Sequence, residues 1–286
     1  MKNEPGKAKT GAKREQRKIT AQETLKIQRQ GFYTAPSGLR VDISELQKNS
    51  EKLSRLITPH EGAEMVKNLT PPENASCTSY KVANASTVKA VIENSERDPS
   101  LAVLNFASAK NPGGGFLNGS MAQEEALAAS GGLYGTQLLH STYYDANRDC
   151  KTMMYTDHAI YSPDVVFFRD DSFNLLEKPA TVSVLTLPAV NMGQVRAKGE
   201  DVRRAKQAMK DRMRLALAIF AHERNGTVIL GAYGCGVFGN DPDDVARWWK
   251  ELLFDEKYGM CFSNVLFSVL DKPNGENIRA FERMFG

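Results

Sequence analysis

From about residue 81 onward the chain alternates between two hydrophobic periods. Residues 101–107 (LAVLNFA), 181–187 (TVSVLTL), 227–230 (TVIL) and 264–270 (NVLFSVL) are short apolar runs of strand length. Between them, residues 201–224 place Val202, Ala205, Met209, Met213, Ala216, Leu217 and Phe220 at helical spacing, and residues 243–254 and 277–285 repeat that pattern. Buried strands alternating with amphipathic helices predict an α/β fold, a three-layer α/β/α sandwich around a mixed but mostly parallel central sheet. Ligands of such sheets bind beyond the carboxyl ends of the strands, and two Gly-rich loops fall there. Upstream, residues 19–30 read as a helix ending at Gly31, the start of an N-terminal helical extension to about residue 80. Residues 1–18 are Lys/Gly-rich with almost no large apolar side chains, and are expected to be a disordered basic tail. Residues 19–286 are expected to form one domain, with its core over about 81–286.

Composition and charge exclude several classes. With 41% hydrophobic and 25% charged residues, the chain has ample material for a core. No run approaches the ~18 consecutive apolar residues of a transmembrane helix, and the polar N-terminus has no apolar segment behind it to act as a secretory signal. A cytoplasmic protein is expected, nuclear as well in a eukaryote, with no membrane partner. The Asn-x-Ser/Thr triplets at Asn68, Asn74, Asn84, Asn118 and Asn225 are then not glycosylation sites. Cys77, Cys150, Cys235 and Cys261 form no CxxC pair and read as reduced thiols. His60, His140, His158 and His222 lack metal-ligand spacing, so neither a metal nor another cofactor is expected. The net charge of +3 conceals an asymmetry, because residues 1–30 hold nine Lys/Arg against three Glu. The excess lies on the tail, and no sequence-specific nucleic-acid binding is expected. The cations of 196–214, interleaved with Glu200, Asp201 and Asp211, read as a solvated helix face.

The strand at 101–107 runs into SAKNPGGGFLNGSMAQEEALAAS. Gly113, Gly114 and Gly115 permit close backbone approach, and successive amides there can line an anion-binding concavity. Ser120 and Gln123 have capping-box spacing, which predicts a helix from Met121 interrupted at Gly131-Gly132. Glu124 and Glu125 then fall near its first turn, where acidic residues ordinarily just complement the helix dipole. A Walker A loop is excluded, since Ser120 stands where Lys is required.

A triple glycine followed seven residues later by Gln-Glu-Glu changes that ordinary reading. GGGFLNGSMAQEE resembles the signature of poly(ADP-ribose) glycohydrolases, and NFASAKNPGGGFLNGSMAQEEALAASGGLY is similar to their microbial-type branch. The likeness continues through YTDHAIYSPDVVFFRDD, LTLPAVN and GAYGCGVFGNDP. It implies a macrodomain-like fold, ADP-ribose binding and metal-free hydrolysis of the ribose–ribose O-glycosidic bond. The substrate would be poly(ADP-ribose) or ADP-ribosylated protein, the product ADP-ribose, cleavage would start from the chain end, and the protein is expected to be a monomer. Glu125 would be the catalytic acid, Glu124 would orient ribose hydroxyls, and Asn105, Gln123 and the three glycines would contact substrate.

The second loop, GCGVFG at 234–239, matches GxGxxG after a strand, the pattern of a Rossmann turn. Asn240-Asp241-Pro242 argues against that, because Asp241 suits an N-cap and Pro242 the first helical position. The helix therefore starts after the motif, and the glycines belong to a free loop. By resemblance this loop, with Gly234, Gly236, Val237 and Gly239, grips the diphosphate, and Phe238 holds the distal ribose. Arg169 with Asp170 or Asp171 reads as a structural ion pair, Asp157 and His158 have no assigned role, and Asn191 is left open.

Glu124 and Glu125 are helix neighbours, so their side chains diverge by ~100°. They cannot flank one sugar as the paired carboxylates of most glycosidases do. A single-carboxylate route follows, in which Glu125 protonates the departing 2′-oxygen and then activates water. Two carboxylates side by side would raise the pKa of one of them, and the helix N-terminus opposes that shift. The rival classes are a macrodomain reader that binds ADP-ribose without cleaving it, and a hydrolase of mono-ADP-ribosyl groups. The two glutamates favour an enzyme over a reader.

Overall fold

The structure, a computed structural model, describes residues 5–72 and 78–286. Asn74, Cys77 and residues 1–4 lie outside the described residues. Helix α1 (Pro5–Gln30) leads into a small antiparallel hairpin, β1 (Phe32–Thr34) and β2 (Arg40–Asp42), then α2 (Ser44–Leu53), β3 (Arg55–Ile57) and α3 (Pro59–Asn68). There follow β4 (Ser79–Ala83), α4 (Thr87–Ser95), β5 (Leu101–Ala107), α5 (Gln123–Ser130), α6 (Leu133–Leu138), α7 (Ser141–Asp149), β6 (Ala159–Arg169) and β7 (Leu175–Pro188). The chain ends with α8 (Met192–Ala197), α9 (Val202–His222), β8 (Thr227–Leu230), α10 (Pro242–Lys250), β9 (Asn264–Ser268) and α11 (Glu276–Phe285). One seven-stranded sheet has the order β3-β6-β7-β5-β8-β9-β4. From β7 through β4 neighbouring strands are parallel, while β6 and β3 are antiparallel to theirs.

The two-residue period of β5 sorts its side chains between the layers. Ala102 and Leu104 join the larger core with Ala216 and Phe220 of α9 and Trp249 of α10. Leu101 and Val103 join a smaller core with Val88 and Val91 of α4 and Leu127 of α5. This is the expected α/β/α sandwich, and β5 lies at its centre.

Three features depart from the sequence reading. The N-terminal extension is not wholly helical, since it also carries β1–β3, and β3 pairs with β6 as an edge of the main sheet. Strand β6 was not anticipated; Pro163 and Asp164 (φ 50°) interrupt its apolar alternation, and the register shifts between Ser162 and Val165. The expected tail is helical from Pro5 as part of α1. Buried Ala21 and Ile27, and a bond from Thr24 Oγ1 to Ala129 O (2.7 Å), anchor that helix further along. Once nucleated there, it extends through Lys, Arg, Glu and Gln, all good helix formers that need no burial. Among the described residues no helix is long and apolar enough to cross a membrane.

Candidate active site

Strand β8 pairs with β5 only over Leu101, Ala102 and Val103, leaving the carboxyl half of β5 without a partner on that side. Gln123 takes the place of the missing strand. Its Nε2 donates to Leu104 O (2.8 Å) and its Oε1 accepts from Phe106 N (2.8 Å). The expected capping box is therefore not formed. Helix α5 starts at Gln123 after Ala122, without a side-chain cap, rather than at Met121. One donor and one acceptor site of the Gln123 amide are thereby committed to the strand.

That fastening sets the next two residues. Glu124 is buried, 3% exposed. Its Oε1 accepts from Asn105 Nδ2 (3.2 Å) and Gln137 Nε2 (3.0 Å), and its Oε2 from Ser108 N (2.6 Å). Burial pushes its carboxyl up to about 8; the three donors pull the other way, and the neighbouring Glu125 adds a further upward push. Little beyond one lone pair of Oε2 remains for a ribose hydroxyl, so Glu124 is held by the protein more than it is offered to a ligand. Asn105, fully buried, also donates to Thr186 Oγ1 (3.2 Å), while its Oδ1 has no protein partner.

Glu125 is half-buried and lines a niche with Arg17 and Thr20 of α1, Phe116, Ser120 and Phe173. Its Oε1 accepts from Gly115 N (2.9 Å). The other two glycine amides are engaged as well, Gly113 N with Gln137 Oε1 (2.8 Å) and Gly114 N with Asn111 O (3.0 Å). Gly114 has φ 58°, and a Cβ there would lie 2.5 Å from Glu125 Oε1 and 2.9 Å from Glu124 Oε2. The two carboxylates thus bracket Gly114. The concavity expected to receive a ligand's anion closes instead on the enzyme's own carboxylate and on Gln137.

The second loop differs. Asp241 caps α10 by accepting from Asp243 N, and Pro242 opens that helix, as expected. Gly234 (φ 74°) and Gly239 (φ 66°) shape the turn, with Gly239 N bonded to Gly236 O (3.0 Å) and Asn240 N to Gly234 O (3.1 Å). The amides of Gly236, Val237 and Phe238 donate to no group among the described residues. Gly236 is exposed and Val237 90% exposed. Phe238 is half-buried, 6.2 Å between ring centroids from Tyr155, and its carbonyl accepts from Gly193 N (2.9 Å). The loop therefore presents a run of free amides beside an aromatic ring.

The other singled-out residues are bonded within the protein. Arg169 pairs with Glu23 of α1 (3.1 Å) rather than with Asp170 or Asp171, and its Nη1 donates to Phe173 O (2.7 Å). Asp170 instead builds a turn, accepting from Ser172 N and Asn174 N. Asp157 binds Arg212 (2.9 Å), which at 2% exposure is no part of a solvated helix face. His158 bonds Thr156 (3.0 Å), and Asn191 caps α8. No group of three potential metal ligands occurs among the described residues. Sequence reasoning missed Gln137, Ser108 and Thr186. A polar residue on the otherwise bland LYGTQL turn was the only signal for Gln137.

A buried and a half-buried carboxyl thus sit on one helix tied to β5, and the loop after β8 carries three free amides. The chain belongs to the microbial-type poly(ADP-ribose) glycohydrolase (PARG) family: the family model "Microbial-type PARG, catalytic domain" matches residues 21–170. It is similar to the crystal structure of poly(ADP-ribose) glycohydrolase from Thermomonospora curvata, with TM-score 0.91 and 37% identity over 95% of this chain and 100% of that one. The same protein bound to the inhibitor ADP-HPD matches with TM-score 0.87 and 37% identity over 94% and 99%. Poly(ADP-ribose) glycohydrolase from Deinococcus radiodurans in complex with ADP-ribose matches with TM-score 0.80 and 39% identity over 85% and 98%. No curated protein sequence gives a significant match.

Proposed function

We propose that the protein hydrolyses the ribose–ribose O-glycosidic bonds of poly(ADP-ribose), releasing ADP-ribose from the chain end, with Glu125 as acid and then base. The observation that carries this reading is the arrangement around Gly114, where the carboxylates of a buried Glu124 and a half-buried Glu125 both close on one glycine. Glu125 gives its proton to the departing 2′-oxygen as positive charge develops on the ribose, and the resulting carboxylate takes a proton from the attacking water. Glu124, kept neutral near pH 7 by its burial, spares the site a second negative charge. The free amides of Gly236, Val237 and Phe238 receive the diphosphate, and the unpaired Oδ1 of Asn105 accepts from a ribose hydroxyl. These contacts position the anomeric carbon, which supplies much of the rate by orientation alone.

Incubation with defined poly- and mono-ADP-ribosylated substrates, with the released product identified, tests the assignment. ADP-ribose from polymer is expected. Release from mono-ADP-ribosylated protein alone would favour the mono-specific hydrolase, and binding without release would favour a reader.

A further inference from the structure

Glycosidic cleavage produces two fragments, and only one has been placed. The loop at 234–239 takes the fragment released as ADP-ribose, but no residue of that loop lines the niche beside Glu125. The niche is walled by α1, by the turn around Phe116 and Ser120, and by Phe173. The departing chain begins with the 2′-oxygen of an adenosine that carries its own diphosphate, so an acid that protonates this oxygen has a base and a dianion for neighbours. The niche offers a counterpart to each.

Arg17 is half-buried, and its Nε donates to Gly119 O (2.8 Å), while its terminal nitrogens bond to no described residue. One turn earlier, Arg14 Nε donates to Asn118 O (2.9 Å), and Lys13 beside it is exposed. Glu15, the acid of this stretch, is answered by Lys18 (3.0 Å), which leaves Lys13, Arg14 and Arg17 without an ion-pair partner among the described residues, as a basic strip leading to the niche. Phe173 is placed with equal care. It holds φ 66°, costly for an aromatic residue, in the turn built by Asp170, with its carbonyl bound by Arg169.

We propose that the surface at the mouth of this niche, whose own volume is only about 10 Å³, is the leaving-chain subsite, where Phe173 packs on the departing adenosine and Arg17, with Arg14 and Lys13 behind it, binds the polymer's diphosphates. The proposal rests on the glycohydrolase reading and adds the side of the bond that reading leaves open. It makes Lys13, Arg14 and Arg17 of α1 a polyanion track.

The test uses the intact protein, Arg17→Gln and the charge-keeping Arg17→Lys. The readouts are KM for long poly(ADP-ribose) at several salt concentrations and the calorimetric Kd for free ADP-ribose. Arg17→Gln is expected to raise the polymer KM about fivefold, the upper range for one partly exposed ion pair. Its salt slope should be shallower by about 0.7 for the lost phosphate contact, with ADP-ribose affinity unchanged and Arg17→Lys close to wild type. Unaltered KM and slope in Arg17→Gln would overturn the subsite alone. Parallel losses for polymer and ADP-ribose, or no rescue by Lys, would overturn it too and make Arg17 merely a brace for the 118–120 turn. A wild-type protein that releases no ADP-ribose from polymer overturns the glycohydrolase reading, and the subsite with it.

Discussion

The two glycine loops look alike in sequence and do opposite things. At 113–115 all three amides are bound by protein acceptors, and Gly114 is a glycine because two carboxylates press against it. At 234–239 the amides of Gly236, Val237 and Phe238 are free, and a Cβ on Gly236 would meet nothing within 4 Å. The first loop closes around the Glu124–Glu125 pair, while the second leaves its amides unengaged. Substitutions in the first should therefore act on chemistry and stability together. Those at Gly236 should act on binding alone.

The largest expected effect lies on the first loop's helix. Glu125→Gln keeps the size of the side chain and an acceptor for Gly115 N but removes the transferable proton. Turnover on poly(ADP-ribose) is expected to fall by ~10²–10⁴-fold while ADP-ribose still binds. A variant that retains more than about a tenth of wild-type turnover would remove Glu125 from the acid role.

The next effect is on stability against pH. The Glu124 carboxyl is raised from an ordinary 4.5 to about 8 by burial. Below about pH 4.5 it is protonated in both the folded and unfolded states, so its contribution is fully present. Between about 4.5 and 8 the unfolded chain loses the proton that the folded one keeps, so stability falls as pH rises. The slope should be roughly 1 kcal/mol per pH unit across that window. Denaturant titrations at several pH values check it, and Glu124→Gln should flatten the slope. A wild-type stability that rises across this window would show Glu124 to be held as an anion by its three donors.

Gly114→Ala comes third. The added methyl falls among both carboxylate groups at a positive φ, and about 1–3 kcal/mol of stability should be lost together with turnover. Thermal melts and initial rates on one preparation measure both. Normal stability with normal rates would mean the carboxylates do not need the glycine.

Legibility in the sequence followed the same division. Periodicity was enough for β5, β8, β9 and α9, whose apolar faces are continuous. It failed at β6, where Pro163 and Asp164 break the alternation, and at α1, where an anchored helix continues through a stretch with no apolar periodicity. The carboxyl pair was legible because Glu–Glu after a triple glycine is an uncommon combination. Its tuning was not. The upward push falls on Glu124 through burial, a property of where Gln123 pins the helix and not of the Glu–Glu sequence. Gln137, which joins Gly113 to Glu124, carries no charge and no motif, so only the folded structure brings it to the site.

The smallest predicted effect is also the cleanest test of the contrast between the loops. Gly236→Val introduces a side chain into open space, at a backbone conformation that is not left-handed. The folded protein has no reason to object, and the melting temperature should stay within about a degree, since exposed substitutions away from special features rarely exceed ~0.5 kcal/mol. A ligand whose phosphates must approach the amides of residues 236–238 meets the new side chain directly, and ADP-ribose affinity should weaken about tenfold, or ~1.4 kcal/mol. NAD serves as the internal control. A loop that grips a diphosphate for an acid seated at the terminal ribose leaves little room for a nicotinamide ring, so wild-type protein should bind NAD well below ADP-ribose. In a Rossmann turn the order would reverse, and Gly236→Val would cost both ligands affinity. Calorimetry on the two proteins with the two ligands decides it. Tight NAD binding would reject the second loop as a diphosphate grip for ADP-ribose, whereas a large drop in melting temperature would show that its glycine, like Gly114, serves the fold and not the ligand.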